Sequence, residues 1–242
     1  MKKILVIGES CRDIFVYCDA KRLCPDIPVP VLNVRDQIEN AGMSKNVQRN
    51  IQSYIPECEL ITNHDWHRIT KTRYIHSDSN HMFFRVDSPH SINQLNIESI
   101  DFNYETLVIS DYNKGFISEG DIQIICEKHD NVFLDTKKVL GPWAASAKYI
   151  KINDYEYKNS VPYLTKELSS KIIRTMGAEG CEFQDIRYGV ERVDVKDTSG
   201  AGDSFMAALV VEYCKNRNIC DSIEFANKCA SQIVKKKGVS VI

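Results

Sequence analysis

No Cys-x-x-Cys pair occurs among the nine cysteines of this 242-residue chain, and their number is odd. The spacing gives no basis for a zinc ribbon or a disulfide framework, so reduced thiols are the expected state. No apolar run is long enough to cross a bilayer. The N-terminal one, Ile4-Leu5-Val6-Ile7, is cut off by Gly8 and reads as a buried first strand rather than a secretory signal. Neither sign of charge prevails: 31 basic and 33 acidic residues leave a net charge of -2. Binding to nucleic acid or another polyanion is therefore not expected. A G-x-G-x-x-G after the first strand is also missing, which argues against a dinucleotide-binding Rossmann dehydrogenase. There is no internal repeat and no low-complexity linker. With 43% hydrophobic residues, the chain is expected to be one cytoplasmic domain over 1–242, with no membrane partner. His64-Asp65-Trp66-His67 has no second ligand pair near it and reads as a surface loop.

What is there centres on Asp197-Thr198-Ser199-Gly200-Ala201-Gly202-Asp203-Ser204-Phe205, followed at once by a strongly helical run to Tyr213. A glycine-rich turn that opens a helix aims unpaired amides and the positive helix end at one point, which suits an anion. Asp203 in the first turn repels phosphate unless it accepts a proton from an attacking hydroxyl. Taken alone, the motif reads equally well as a capped helix start in which Asp203 satisfies N–H groups.

Along the chain, Lys3–Ile7 ends at Gly8…Asp13, where an aspartate at the carboxyl end of a strand meets a ligand and accepts bonds from sugar hydroxyls. Four further β runs, Ile14–Cys18, Val31–Arg35, Thr70–Ile75 and His81–Asp87, are expected to form a small lid sheet over about 14–35 and 70–88, the first two divided by prolines. Ala41–Ile51 reads as a glycine turn leading into a helix, with Asn46 one turn in. Cys58–Ile61 is a short strand. From Glu105 the chain alternates in the α/β manner. Strands end at Asp111–Gly115, Asp135–Lys138 and Asn153–Glu156, three polar clusters of the kind an α/β active-site rim requires. A strand from Lys171, edge strands at Cys181–Phe183 and Arg187–Val195, and a last helix from about Asp221 to Lys237 complete the reading. The exposed edges bearing Ile14, Val16, Val31 and Phe83 predict a homodimer through the lid.

The glycine-aspartate motif resembles the signature of the ribokinase/PfkB family of carbohydrate kinases. Gly8…Asp13, Ala41-Gly42…Asn46, Asn153…Glu156, Thr175-x-Gly177…Gly180 and Ala226-Asn227 fall in that family's order. Pro25–Val31 and Asp111-Tyr112-Asn113-Lys114-Gly115 are similar to segments of its D-glycero-β-D-manno-heptose-7-phosphate kinase branch. The resemblance implies an α/β, ribokinase-like three-layer sandwich with a mainly parallel central sheet and a small β lid. It also implies an ATP-dependent, Mg²⁺-dependent kinase of a sugar or sugar phosphate. Asp203 would be the base, and the amides of Gly200, Ala201 and Gly202 the anion hole. Asp13, Gly42 and Asn46 would bind sugar hydroxyls, and Arg73, Arg85 and Lys114 a substrate phosphate. Thr175, Gly177, Gly180, Thr198 and Asn227 would line the ATP site, while Asn153 and Glu156 would hold Mg²⁺ through water. The helix N-terminus would favour ionised Asp203. The chain departs from the family at Ala41, where a second glycine is usual, and in the short stretch from Ile51 to Thr70, which predicts a trimmed sheet edge. A shortened relative that binds nucleotide or sugar without turnover is the alternative.

Overall fold

The computed structural model describes residues 2–89, 91–236 and 238. Its central sheet grows outward from β1 (Lys2–Gly8), whose Ile4, Leu5, Val6 and Ile7 are almost fully buried. A strand covered on both faces needs a continuous apolar run rather than alternation, and this one has it. The remaining sheet strands are β4 (Cys58–Ile61), β7 (Tyr104–Asp111), β8 (Val132–Thr136), β9 (Tyr149–Asn153), β10 (Ile172–Thr175), β11 (Cys181–Phe183) and β12 (Ile186–Tyr188). They lie in the order β12-β11-β10-β9-β8-β7-β1-β4, parallel except for the antiparallel β10-β11-β12 end. All the parallel strands point their carboxyl ends to one rim.

Helices cover both faces. Alternate residues Ile4, Val6, Val108 and Phe133 pack on α1 (Ser44–Gln52), α5 (Ala201–Asn216) and α6 (Ile219–Ile233). Leu5, Ile7, Leu107, Ile109 and Leu134 face α2 (Glu119–Lys128) and Leu168 of the short α4 (Lys166–Ser169). α3 (Asp154–Ser160) follows β9 directly. Each large apolar side chain fully buried in these layers contributes about 1.5–3 kcal/mol. α5 touches both α1 and α6, so it is buried nearly all round, which explains the unbroken apolar run Phe205–Val211.

A second, four-stranded sheet has the order β3-β2-β5-β6. It comprises β2 (Ser10–Leu23), β3 (Pro30–Met43), β5 (Thr70–His76) and β6 (Met82–Asp87). Its strands run further than the sequence indicates. β2 begins one residue after β1, so Asp13 lies within a strand rather than in a loop, and β3 carries Ala41 and Gly42 straight into α1 without a glycine turn. The positive φ falls at Met43 (φ 61°, ψ -136°) instead. The two crossings are tied together where Ser44 Oγ donates to the carbonyls of Gly8 (2.8 Å) and Glu9 (2.6 Å).

Three expectations need correction. Ile14 and Val16 are buried in the middle of the small sheet. Its exposed large apolar residues are Leu23, Val34, Ile38, Met82, Phe84 and Val86. The expected strand Arg187–Val195 ends at Tyr188. The last helix spans Ile219–Ile233, started by Asn218, whose side chain accepts from the amides of Cys220 and Asp221; Lys237 lies outside the described residues.

Candidate active site

At the rim, α5 opens at Gly200, whose left-handed backbone (φ 78°) turns the chain without a side-chain cap. Ala201 N–H donates to the Thr198 carbonyl at 3.2 Å. Helix geometry leaves the next first-turn amides, Gly202 and Asp203, open. Asp203 does not cap its own helix. Asn46 Nδ2 of α1 donates to its Oδ2 at 2.9 Å, and the Tyr112 hydroxyl, from the loop after β7, donates to its Oδ1. The reading of Asp203 as a mere cap is thereby removed. Burial raises the Asp203 carboxyl above the usual range, opposed by the bonds from Asn46 and Tyr112, raised further by Asp135 and lowered by Lys151. Desolvation thus outweighs the helix field that was expected to favour ionisation.

The supports of Asp203 are themselves fixed. Asn50 Nδ2 donates to Asn46 Oδ1 at 3.1 Å, which aims the Asn46 amide nitrogen at the carboxylate. Glu9, fully buried, accepts the amides of Tyr112 and Lys114, both at 2.8 Å, and so shapes the loop that carries the tyrosine. Asp111 anchors the same loop to the next strand end through Lys138 Nζ at 2.8 and 2.9 Å and Thr136 Oγ1 at 2.5 Å. Burial and the neighbouring carboxylates push the Tyr112 phenol well above its ordinary value, so it stays a donor.

Asp13 and Arg73 form a largely buried ion pair across β2 and β5. Gly42 lies beside them: a side chain there would come within 2.8 Å of Cys11 Sγ and 3.3 Å of Asp13 Cβ. Arg85, opposite Arg73 on β6, is exposed and paired with Asp87 at 2.7 Å. Lys114 makes no ion pair among the described residues and shares a small recess with Lys71, Ser10 and Met43.

Asn153 and Glu156 form a reciprocal capping box for α3. Asn153 N–H donates to Glu156 Oε2 at 2.8 Å, and Glu156 N–H donates to Asn153 Oδ1 at 2.9 Å. Lys137 Nζ stands 2.5 Å from Glu156 Oε1 and 4.0 Å from Asp135 Oδ1. Burial alone would lower the Lys137 ammonium, but Asp135 and Glu156 raise it above its ordinary value. Among the described residues no three His, Cys, Asp or Glu side chains are grouped to grip a metal ion directly. Thr175 ends β10 opposite Asn153. Gly177 and Gly180 take positive φ, and a Cβ at Gly180 would lie 2.0 Å from the Tyr188 carbonyl. Asn227 Nδ2 donates to that carbonyl at 3.0 Å, while Thr198 is exposed. Asn227 borders an open cleft of about 630 Å³ between β12 and α6, walled by Tyr188, Val190, Ser231 and Lys235.

The structure therefore brings Asp203, Gly202 and Asn46 together, and separately Asp13, Arg73 and Gly42. Sequence reasoning missed Glu9, Asn50, Tyr112, Asp135, Lys137 and Lys151 as site residues. Tyr112, Asp135 and Lys137 had a signal, since all three sit in the polar strand-end clusters. Lys151 had another, as a lone charge inside the buried run Ile150-Lys151-Ile152.

The model of the pfkB family carbohydrate kinases matches residues 122–241. The chain is 25% identical to a bifunctional protein HldE of Helicobacter pylori (strain HPAG1), an alignment covering 98% of this chain and 64% of the relative. It is 24% identical to the bifunctional protein HldE of Pasteurella multocida (strain Pm70), covering 99% and 61%. The chain thus spans less than two thirds of the length of these curated relatives. In fold it is similar to ribokinase from Thermotoga maritima (TM-score 0.74, 16% identity, covering 99% of this chain and 95% of that one). It is also similar to phosphofructokinase-2 from Escherichia coli (TM-score 0.70, 14% identity, covering 100% and 95%). The ribokinase-like α/β class expected from the sequence is the one found.

Proposed function

We propose that this chain phosphorylates a hydroxyl of a sugar or sugar phosphate at the expense of ATP, with a heptose 7-phosphate as the leading substrate. One observation carries the reading. Asp203 stands beside uncapped helix amides, yet its two oxygens are held by Asn46 and Tyr112 rather than by its own helix. The substrate hydroxyl displaces one of these donors and gives its proton to Asp203 as its oxygen attacks the γ-phosphorus. The bond from that phosphorus to the bridging oxygen breaks, and ADP leaves. The open amides of Gly202 and Asp203, where the Gly200–Gly202 turn enters the helix, hold the transferred phosphoryl, while that of Ala201 is taken by the Thr198 carbonyl. Phosphoryl transfer needs such positioning and charge stabilisation more than covalent chemistry. Asp13, Gly42 and Asn46 orient the sugar. Lys114, joined by Lys71, is the better-placed partner for a substrate phosphate, since Arg73 and Arg85 are already paired with Asp13 and Asp87. The cleft beside Asn227 takes the nucleotide, with Thr175, Gly177, Gly180 and Thr198 along the way to the phosphates.

Mg²⁺ fits the rim at Asn153 and Glu156 only through water. Glu156 already attracts a cation, Lys137, and the buried Asp135 Oδ1 beside it accepts no hydrogen bond. When bound there, the ion would neutralise phosphate charge. The small sheet acts as a lid and as the contact of a homodimer, a reading supported by the exposed Val34, Phe84 and Val86.

An ATP-consumption screen over sugars and sugar phosphates tests the function, with Asp203→Asn as control. A positioned base is worth about 10² to 10⁴ in rate, and the variant is expected to lose that much. Tight binding of ADP or a sugar, with no activity that Asp203→Asn alters, would instead favour a non-catalytic relative.

A further inference from the structure

Lys151 is a buried ammonium in the middle of strand β9. Its Nζ lies 2.8 Å from Asp135 Oδ2, and the two side chains are 3% and 5% exposed. Taking both charges out of water costs several kcal/mol per ion before their attraction repays it. Apolar residues of similar volume would fill such a place at least as well, so the pair calls for a reason. The reason lies on the other side of the ammonium. A Cβ built on Gly202 would stand 3.0 Å from Lys151 Nζ, which therefore occupies the space a side chain at 202 would need. An ammonium has three donors. One bond, to Asp135, is accounted for among the described residues. Asp135 is itself half satisfied: its buried Oδ1 accepts no hydrogen bond and has only Lys137 Nζ, 4.0 Å away, as a counter-charge.

Resting on the kinase reading above, we infer that Lys151 is a catalytic residue that completes the anion hole, its ammonium reaching past Gly202 to the phosphoryl group in flight. The main-chain amides supply partial charges fixed in direction, and Lys151 supplies a full charge in a site that excludes water, where it acts most strongly. It forms no covalent bond and keeps its protons throughout. Asp135 holds it in place before the phosphoryl arrives, so no reorganisation is needed during transfer. The inference also gives glycine at 202 a second purpose besides the turn: a larger residue would push the ammonium away.

The test compares the wild type with Lys151→Met and with Lys151→Met/Asp135→Asn, the second removing both buried charges so that no unpaired carboxylate remains. Loss of one strong anion-hole donor costs about 10² to 10³ in kcat. Both variants should show that loss with an unchanged KM for the sugar. They should bind ADP as the wild type does, yet gain none of the affinity that aluminium fluoride, a mimic of the transferring phosphoryl, adds in the wild type. Wild-type kcat and wild-type affinity for ADP with aluminium fluoride in the folded double variant would overturn the inference. Should neither variant fold, the wild type still decides. A buried ammonium gives observable ¹H–¹⁵N signals; those of Lys151 should move when aluminium fluoride joins bound ADP, and their indifference would refute its contact with the anion. Absence of phosphotransfer by the wild type itself would instead sink the kinase reading, with the ammonium signals still reporting on the anion contact.

Discussion

At Asp203 two donors compete with burial for control of the proton. Because the folded-state carboxyl is raised, chiefly by desolvation, the acid limb of the pH–rate profile should lie above the range of an ordinary aspartate, with activity lost as pH falls through it. Tyr112→Phe removes a bond that lowers this carboxyl. The limb should therefore move to higher pH, and a limb unmoved or shifted down would contradict the assignment. Linkage gives a second readout. A raised folded-state carboxyl contributes stability that is present below the unfolded value and is lost as pH rises through the folded one. Asp203→Asn should accordingly melt higher than wild type at neutral pH, by a margin that shrinks on acidification, as differential scanning calorimetry would reveal. Met43 is a residue the sequence did not flag. Its backbone (φ 61°, ψ -136°) belongs to glycine's range, while its side chain packs with Cys11 and Ile69. Such strain costs about 1–3 kcal/mol. Met43→Gly should thus unfold at higher urea than Met43→Ala, the reverse of the usual order in strands. The charged strand ends were legible at this scale because polar residues interrupt apolar runs. The Met43 backbone was not, since nothing in a methionine codes for positive φ.

Among the elements, the parallel strands were readable because burial on both faces demands unbroken apolar runs such as Leu107–Ile109 and Val132–Leu134. The small sheet was readable only in part. β3 is exposed over most of its length, so Asn33–Asn40 shows no alternation and its pairing with β2 comes from tertiary contact alone. The edge strand of the large sheet is β4, four residues long. Its unpaired side is guarded by α1: Gln48 and Gln52 Nε2 donate to the Cys58 carbonyl at 3.1 and 2.9 Å. An open strand edge invites pairing with another chain. Replacing both glutamines by alanine should therefore increase aggregation on mild heating, measured by turbidity, with little change in ATP turnover. An unchanged turbidity curve would mean that the short strand needs no guard.

For the whole molecule, the order of motifs along the chain carried more than any one of them. An isolated Gly-Ala-Gly-Asp reads either way, but the same four residues facing Asn46 from α1 and Tyr112 from the β7 loop, across the rim of one sheet, support the proposed site. Such long-range meetings are set by topology and could not be read from spacing. The exposed face of the small sheet leads to the expectation of a dimeric mass by light scattering at micromolar concentration, reduced to that of a monomer by Phe84→Asp; a monomeric wild type would count against the lid contact. The central claim is that Asp203 and the turn before it transfer phosphoryl to a sugar hydroxyl. It is tested most directly by ³¹P NMR of the purified chain with ATP, Mg²⁺ and a panel of sugars and sugar phosphates that includes heptose 7-phosphate. The account predicts a new phosphate ester with the wild type and none with Asp203→Asn, although calorimetry finds ATP bound to both. Equal ester formation by the two proteins, or none by the wild type on any member of the panel, would contradict it.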